Sequence, residues 1–527
     1  MASANVIIVG SGAAGVAAAY ALRGRGVLLL DVGATPPPGA LAGNFYALRK
    51  NPGQADLFHE LIGDCFESLH NVFHPYLSPK LKAPGMKFIV ERAARLAPVQ
   101  SKGFDATMSF AAGGLANAWG AGLYRATDED LKAFPISARD LDPYYDALTE
   151  KIGISGADDD LSRYFGPAQG LLPPLKIDAN GAALLRRYEQ RRGAIRRAGL
   201  YLGRPRLAVL TRAHDGRPPY SYEALEFFRA ANPAVYSPMA TLREMVARGE
   251  IAYAPGLLVE RYAEDRDGVR VLARVCSSGA RREFTARRLI LAAGALNTAK
   301  IALNSNDDYE TRLPLLDNAV SYMPLIDPRR IGAALEKEFF PAAMLNAVYD
   351  GPFWPEPIQM TLYGAAGTLR SDFLFDFPLP ARDAIAAGKY LTPALVIAQL
   401  FYPDAPAQAN YLRLTAAGEL ELAYERKKLG ALEARLVGLF RRLGYLGLAR
   451  LCKYLAPGSS FHYAGALPMK SAPRGRYETD SNGRLTGARG VYVADAANFP
   501  ALPSKNHSFT MMANAMRIAT EVGRTLP

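Results

Sequence analysis

The 527-residue chain has little cysteine: Cys65, Cys276 and Cys452 lie far apart and none sits in a CxxC spacing. An odd, scattered set excludes a disulfide framework and reads as reduced thiols, expected of a cytoplasmic protein. Histidine is scarce too, with six residues. His70 and His74 are four apart in a helical pattern over 56–74, a spacing that can hold a metal, but no third ligand accompanies them and no metal site is expected. Long apolar runs are missing. The opening run Val6 to Val9 is broken by Gly10, Ser11 and Gly12 and has no basic flank, which argues against a signal peptide or a membrane span.

Charge of one sign is in mild excess only, with 62 Lys plus Arg against 50 Asp plus Glu. No nucleic-acid recognition motif stands beside the basic stretches, so nucleic acid is not an expected partner. The most basic run, 181–206, reads as a solvated amphipathic helix. A second, 432–455, reads as an amphipathic helix pair packed on the core, with peripheral membrane contact the less favoured alternative. Internal repeats and low-complexity tracts are also lacking.

What is present is organised around Val6 to Asp31. An apolar strand runs into Gly10, Gly12 and Gly15, an alanine-rich helix follows to Leu22, and a second strand, Val27 to Leu30, ends on Asp31. Gly10 permits the tight turn, Gly12 lets backbone approach a pyrophosphate beside Ser11, and Gly15 lets helix pack on strand. The helix N-terminus then offers free N–H groups to phosphate, and Asp31 stands where a ribose hydroxyl needs an acceptor. NAD, NADP and FAD all satisfy this pattern.

A second glycine-rich stretch, FAAGGLANAWGAGLYR from Phe110 to Arg125, offers flat backbone at Gly113 and Gly114, a hydrogen-bonding group at Asn117 and a wall at Trp119. Between 251 and 294 the period changes to alternation. IAYAPGLLVERY (which contains Val259), GVRVLARVCSS and RREFTARRLILAAG predict a three-stranded antiparallel meander returning to a buried strand, Leu289 to Leu291, tipped by Ala293 and Gly294. From 311 to 428 the texture is aromatic and alternating, which implies a second, sheet-based domain with a hairpin turn at Ala416–Ala417–Gly418. The last 70 residues set His462 in a small-residue turn, Asp495 and Ala496 after an apolar strand, and Asn506 and His507 at a helix start. Catalytic groups are usually displayed on such irregular backbone.

In this order GSGAAG, GGLANAWG, FPISARDLDPYYDALTE, LILAAGALNTAKIAL, HYAG and VYVADAANFP with NHSFTMMANAMRIA resemble the glucose-methanol-choline (GMC) flavin oxidoreductases. The resemblance implies an α/β protein. A Rossmann-like FAD-binding domain with a β-meander insertion would comprise 1–150, 245–310 and 456–527. A substrate domain built on an antiparallel sheet covered by helices would comprise 151–244 and 311–455. It implies FAD, held along Gly10, Ser11, Gly12, Gly15, Asp31, Gly113, Gly114, Asn117, Trp119, Val259, Ala293, Gly294, Asp495 and Ala496. Ala118 stands where some relatives attach FAD to a histidine, so non-covalent FAD is expected. Asp31 replaces the commoner Glu, and Ala466 stands where many relatives carry Thr or Cys.

The implied reaction is oxidation of an alcohol to a carbonyl by hydride transfer to flavin N5. His462 matches the first active-site histidine and is the expected base, with His507 as its partner and Asn506 as the neighbouring alternative. The aromatic and polar content of 311–455 fits a sugar, glycoside or other polyol, the favoured small-molecule substrate, and equally an aromatic or aliphatic alcohol; oxygen, a quinone or a protein takes the electrons. The alternatives are a lyase on the same fold and a non-catalytic binding protein.

Overall fold

The computed structural model describes residues 3–37, 48, 55–65, 67–68, 78–225, 228–230, 232–336, 338–364, 379–425 and 427–526. The histidine pair at His70 and His74 lies outside them.

The apolar strand Ser3–Val9 is central to a seven-stranded sheet because both of its faces are greasy: Val6 and Ile8 point to one core, Ile7 and Val9 to another. It pairs in parallel with Val27–Leu30 on one side and Arg281–Leu291 on the other, and Ala252–Ala254 extends the sheet beyond Val27–Leu30. The helix Ala13–Ala21 is apolar on nearly all sides. It is sandwiched between this sheet and the C-terminal helix Ser508–Arg524. Truncating Ile8, which is fully buried, to alanine would cost about 2–5 kcal/mol.

The meander differs from the sequence reading in two ways. Its third strand and the buried parallel strand are one continuous element, Arg281–Leu291, paired first with Val269–Val275 and then with Ser3–Val9. Ala252–Ala254 is not part of the meander, because Pro255 and Gly256 break the chain before Leu257–Glu264 begins. The short strand Val491–Val493 closes the sheet in parallel against Leu289–Leu291.

The second sheet has six antiparallel strands in the order Lys453–Tyr454, Val320–Ile326, Leu395–Phe401, Ile358–Gly364, Leu345–Tyr349 and Leu200–Gly203. Alternation splits its residues. Met323, Leu325, Val396, Ala398 and Leu400 pack beneath it on the helices Ala179–Arg197 and Ala431–Arg442, while Tyr322, Pro324, Ile397, Gln399 and Phe401 face a cavity. The expected hairpin forms between Tyr411–Leu414 and Leu420–Ala423, with Gly418 at φ +78°.

The expected helix pair over 432–455 is a single helix, Ala431–Arg442. Gly444 takes φ +81° and ends it, and a 3-10 turn, Ala449–Leu451, and the strand Lys453–Tyr454 follow. In the most basic run, Arg187 binds Asp327 at 2.6 Å and Arg192 holds Asp160 with two hydrogen bonds, so these charges tie the helix Ala179–Arg197 to its neighbours. Among the described residues no helix is long and apolar enough to cross a membrane.

Candidate active site

One cavity of about 1280 Å³ runs from the glycine turn of the first sheet to the face of the second. Gly10 and Gly12 line it at that turn, with Gly15 packed behind them. A Cβ on Gly10 (φ +100°) would lie 2.5 Å from the Ala292 carbonyl oxygen, and one on Gly15 would lie 1.9 Å from the Gly10 carbonyl oxygen. Both positions are therefore packed shut. A Cβ on Gly12 would meet nothing within 4 Å, so this glycine keeps space open beside the N-terminus of Ala13–Ala21. That helix start has no side-chain cap and no acid in its first turn, which leaves its N–H groups and dipole for an anion.

Asp31 ends the neighbouring strand and lines the same cavity. Its carboxylate accepts hydrogen bonds from Ser11 Oγ and from the Tyr253 hydroxyl at 3.2 Å, and burial pushes its pKa up to about 6. Ser11 Oγ also accepts the Gly113 N–H at 3.0 Å, which docks the second glycine loop onto the first. A Cβ on Gly114 would stand 3.3 Å from Gly12 Cα.

Asn117 is spent inside this loop: its amide donates to the carbonyls of Ala112 at 2.8 Å and Gly114 at 2.9 Å. It shapes the wall but is not among the residues that line the cavity, nor are Gly15 and Gly113. Trp119 does line it, anchored by its indole N–H on the Tyr236 carbonyl at 3.1 Å.

Val259, Ala293, Gly294, Asp495 and Ala496 form the opposite wall. Asp495 accepts from the Gly294 N–H at 2.8 Å, Thr298 Oγ1 at 2.5 Å and the Ala497 N–H at 2.9 Å, so it ties together the two strand ends Leu291 and Val493. Burial pushes its pKa up to about 6 as well.

At the far end stand His462 and His507, with ring centroids 4.9 Å apart and planes at 89°. His462 is placed by a two-stranded ladder in which Leu316–Asp317 pairs antiparallel with Tyr463–Ala464. The next step of that register sets Asn318 opposite His462, and Asn318 Oδ1 lies 2.9 Å from His462 Nδ1. Phe401 stacks on the imidazole at 5.0 Å and 22°. The His462 N–H donates to Ser460 Oγ at 2.8 Å, and that hydroxyl donates in turn to Asp317, which burial pushes up to about 7. Phe461, one residue earlier, takes φ +61°, a costly conformation for an aromatic residue.

His507 immediately precedes the helix Ser508–Arg524. Among the described residues neither its Nδ1 nor Asn506 Oδ1 finds a partner, and both residues line the cavity. Burial holds His462 well below the ordinary histidine range, reinforced by His507, and pushes His507 down to about 4. Two neutral imidazoles thus share one desolvated corner.

The GMC oxidoreductase family model matches residues 447–515. Over that segment the chain is similar to the GMC oxidoreductases. His462, Asp495, Asn506 and His507 all fall inside it. The solved structure of pyridoxine 4-oxidase from Mesorbium loti matches this chain over 98% of its residues and 99% of that protein's, with a TM-score of 0.58 and 15% identity. At that identity the likeness shows the fold, an α/β arrangement common to both chains. No curated protein matches the sequence significantly.

Two residues of the site carried no sequence signal. Asn318 lies in LDNAV and Tyr253 in IAYA; only the ladder and the sheet order bring them to His462 and Asp31.

Proposed function

We propose that this GMC protein oxidises an alcohol to a carbonyl, with FAD held non-covalently along the cavity and His462 as the base. The carrying observation is the pair of buried imidazoles at one end of a cavity whose other end is a dinucleotide cradle. The cradle fits the cofactor: Gly12 leaves the pyrophosphate its space, the uncapped helix faces it, and Asp31 offers a carboxylate. The loop 110–120 holds no histidine or cysteine for a covalent tether. FAD, when bound, supplies the acceptor for the hydride that leaves the alcohol carbon.

The protein's own part is proton chemistry and placement. His462, kept neutral by burial, accepts the hydroxyl proton as the C–H bond weakens. His507, with Asn506 beside it, holds the substrate oxygen and orients the carbon. In the proposed domain division the first sheet and the C-terminal segment hold the nucleotide, and the six-stranded sheet holds the substrate.

The lining favours an alcohol with an apolar aromatic or aliphatic body over a sugar or other polyol. Pro324, Ile326, Leu395, Ile397 and Phe401 present themselves to the cavity. Among the described lining residues the acids Asp31, Glu260 and Asp495 all stand at the nucleotide end. A sugar needs many convergent polar partners, whereas beside the histidines and Asn506 the lining here offers Gln399, Thr361, Lys453 and tyrosine hydroxyls among apolar side chains.

The test is a visible spectrum of the purified protein followed anaerobically through a panel of alcohols. Bleaching by aromatic or aliphatic alcohols supports the reading. A flavin that no alcohol reduces favours a lyase, and a protein that binds no flavin favours a binding role.

A further inference from the structure

We infer that Asn318 sets the tautomer of His462 and thereby decides which ring nitrogen is free to take the substrate proton. Asn318 is fully buried. Its amide nitrogen donates to two backbone carbonyls, Tyr402 at 2.8 Å and Pro503 at 3.0 Å. Turning the amide over would press its oxygen against both carbonyl oxygens, so the orientation is settled by chemistry. Asn318 Oδ1 therefore faces His462 Nδ1 at 2.9 Å. An amide oxygen only accepts, so Nδ1 carries the hydrogen and the lone pair lies on Nε2.

Free neutral imidazole favours the opposite tautomer, with its proton on Nε2, and such a ring could not act as a base there. The other groups around His462 leave the choice to Asn318. Phe401 stacks on the ring and His507 meets it edge-on. Ser460 engages only the backbone N–H of His462, with Asp317 behind it. The Asn318 amide is clamped at both carbonyls, so it also fixes the ring plane. It is a positioning residue, acting through His462.

The catalytic consequence rests on the reading of His462 as base; the tautomer itself does not. The test is a long-range proton–nitrogen NMR spectrum of the flavin-loaded enzyme labelled with 15N-histidine. The His462 signals are identified by their loss in His462→Gln. The expected result is a pyrrole-type Nδ1 and a pyridine-type Nε2 in the unaltered protein. In Asn318→Ala the pattern reverses or averages, and kcat falls on the order of 10²-fold while KM changes little. Asn318→Asp keeps an acceptor for Nδ1 and, as the neutral acid, one donor for the carbonyls; it retains the Nδ1–H pattern and restores most of the turnover.

A proton on Nε2 in the unaltered protein overturns the inference, as does an Asn318→Ala spectrum identical to it. Normal turnover in His462→Gln would instead remove the base assignment and leave the tautomer result standing. The spectrum of the unaltered protein decides the matter even if Asn318→Ala does not fold.

Discussion

The imidazoles of His462 and His507 meet edge-on, 4.9 Å between centroids, in a corner so desolvated that neither ring readily takes a charge. This arrangement suits a base that must be neutral at the start of each turnover and bear a proton only briefly. Once His462 is protonated, His507 beside it must stay neutral, since two like charges at that spacing repel.

Replacing His462 with alanine removes the proposed proton acceptor without touching the glycine turn at 10–15. Turnover is expected to fall on the order of 10²- to 10⁴-fold, with flavin content unchanged. Steady-state rates together with the flavin-to-protein absorbance ratio check this; unchanged turnover sinks the assignment of the base.

The pH response follows from the downward shifts. A His462 held below 6.5 stays neutral on mild acidification, so kcat/KM should remain flat through pH 6.5 and fall only at lower pH. For stability the sign is the same. Between 6.5 and about 4 the unfolded chain protonates at position 507 while the folded chain does not. The contribution of His507 is therefore full above 6.5 and is lost towards pH 4, on the order of 3 kcal/mol. Asp31, Asp317 and Asp495, with raised values, act in the opposite direction, so the comparison must be made against His507→Asn. Denaturant titrations at pH 7 and pH 4.5 should show a smaller acid loss in that variant; an equal loss contradicts the shift.

Gly12 and Gly15 should part company on substitution. Gly12→Ala adds a methyl into open cavity space, so the apoprotein keeps its melting temperature while FAD affinity drops. Gly15→Ala drives a Cβ against the Gly10 carbonyl and should cost roughly 2 kcal/mol or more of stability. Thermal melts of flavin-free protein and flavin titrations separate the two. Equal loss of stability in both variants would mean that Gly12 serves packing and not the ligand.

The glycine turn proposed as the nucleotide cradle was legible in the sequence because it is local. Gly10, Gly12, Gly15 and Asp31 lie within one strand–turn–helix–strand unit, and each residue type answers a constraint set by its near neighbours. The turn around His462 and the helix start at His507 were legible for the same reason, as motifs. The helix pair expected over 432–455 does not extend past Gly444, because apolar and basic spacing persists there while the backbone turns left-handed and pairs Lys453–Tyr454 with Val320–Ile326. Asn117 has the chemistry to meet a ligand, and the folded loop turns its amide onto the carbonyls of Ala112 and Gly114, which no local period signals.

By itself the sequence determined that a strand–glycine turn–helix–strand unit opens the chain and that His462 and His507 stand on irregular backbone near its end, since periodicity and glycine spacing are properties of short segments. Only the tertiary structure decided that these ends meet. Val491–Val493 docks beside Arg281–Leu291 through Asp495, and the ladder Leu316–Asp317 with Tyr463–Ala464 brings Asn318 against His462. Hydrogen bonds between residues 144 positions apart obey no local period. The contact proposed to set the tautomer of His462 is such a bond, and so became visible only in the folded chain.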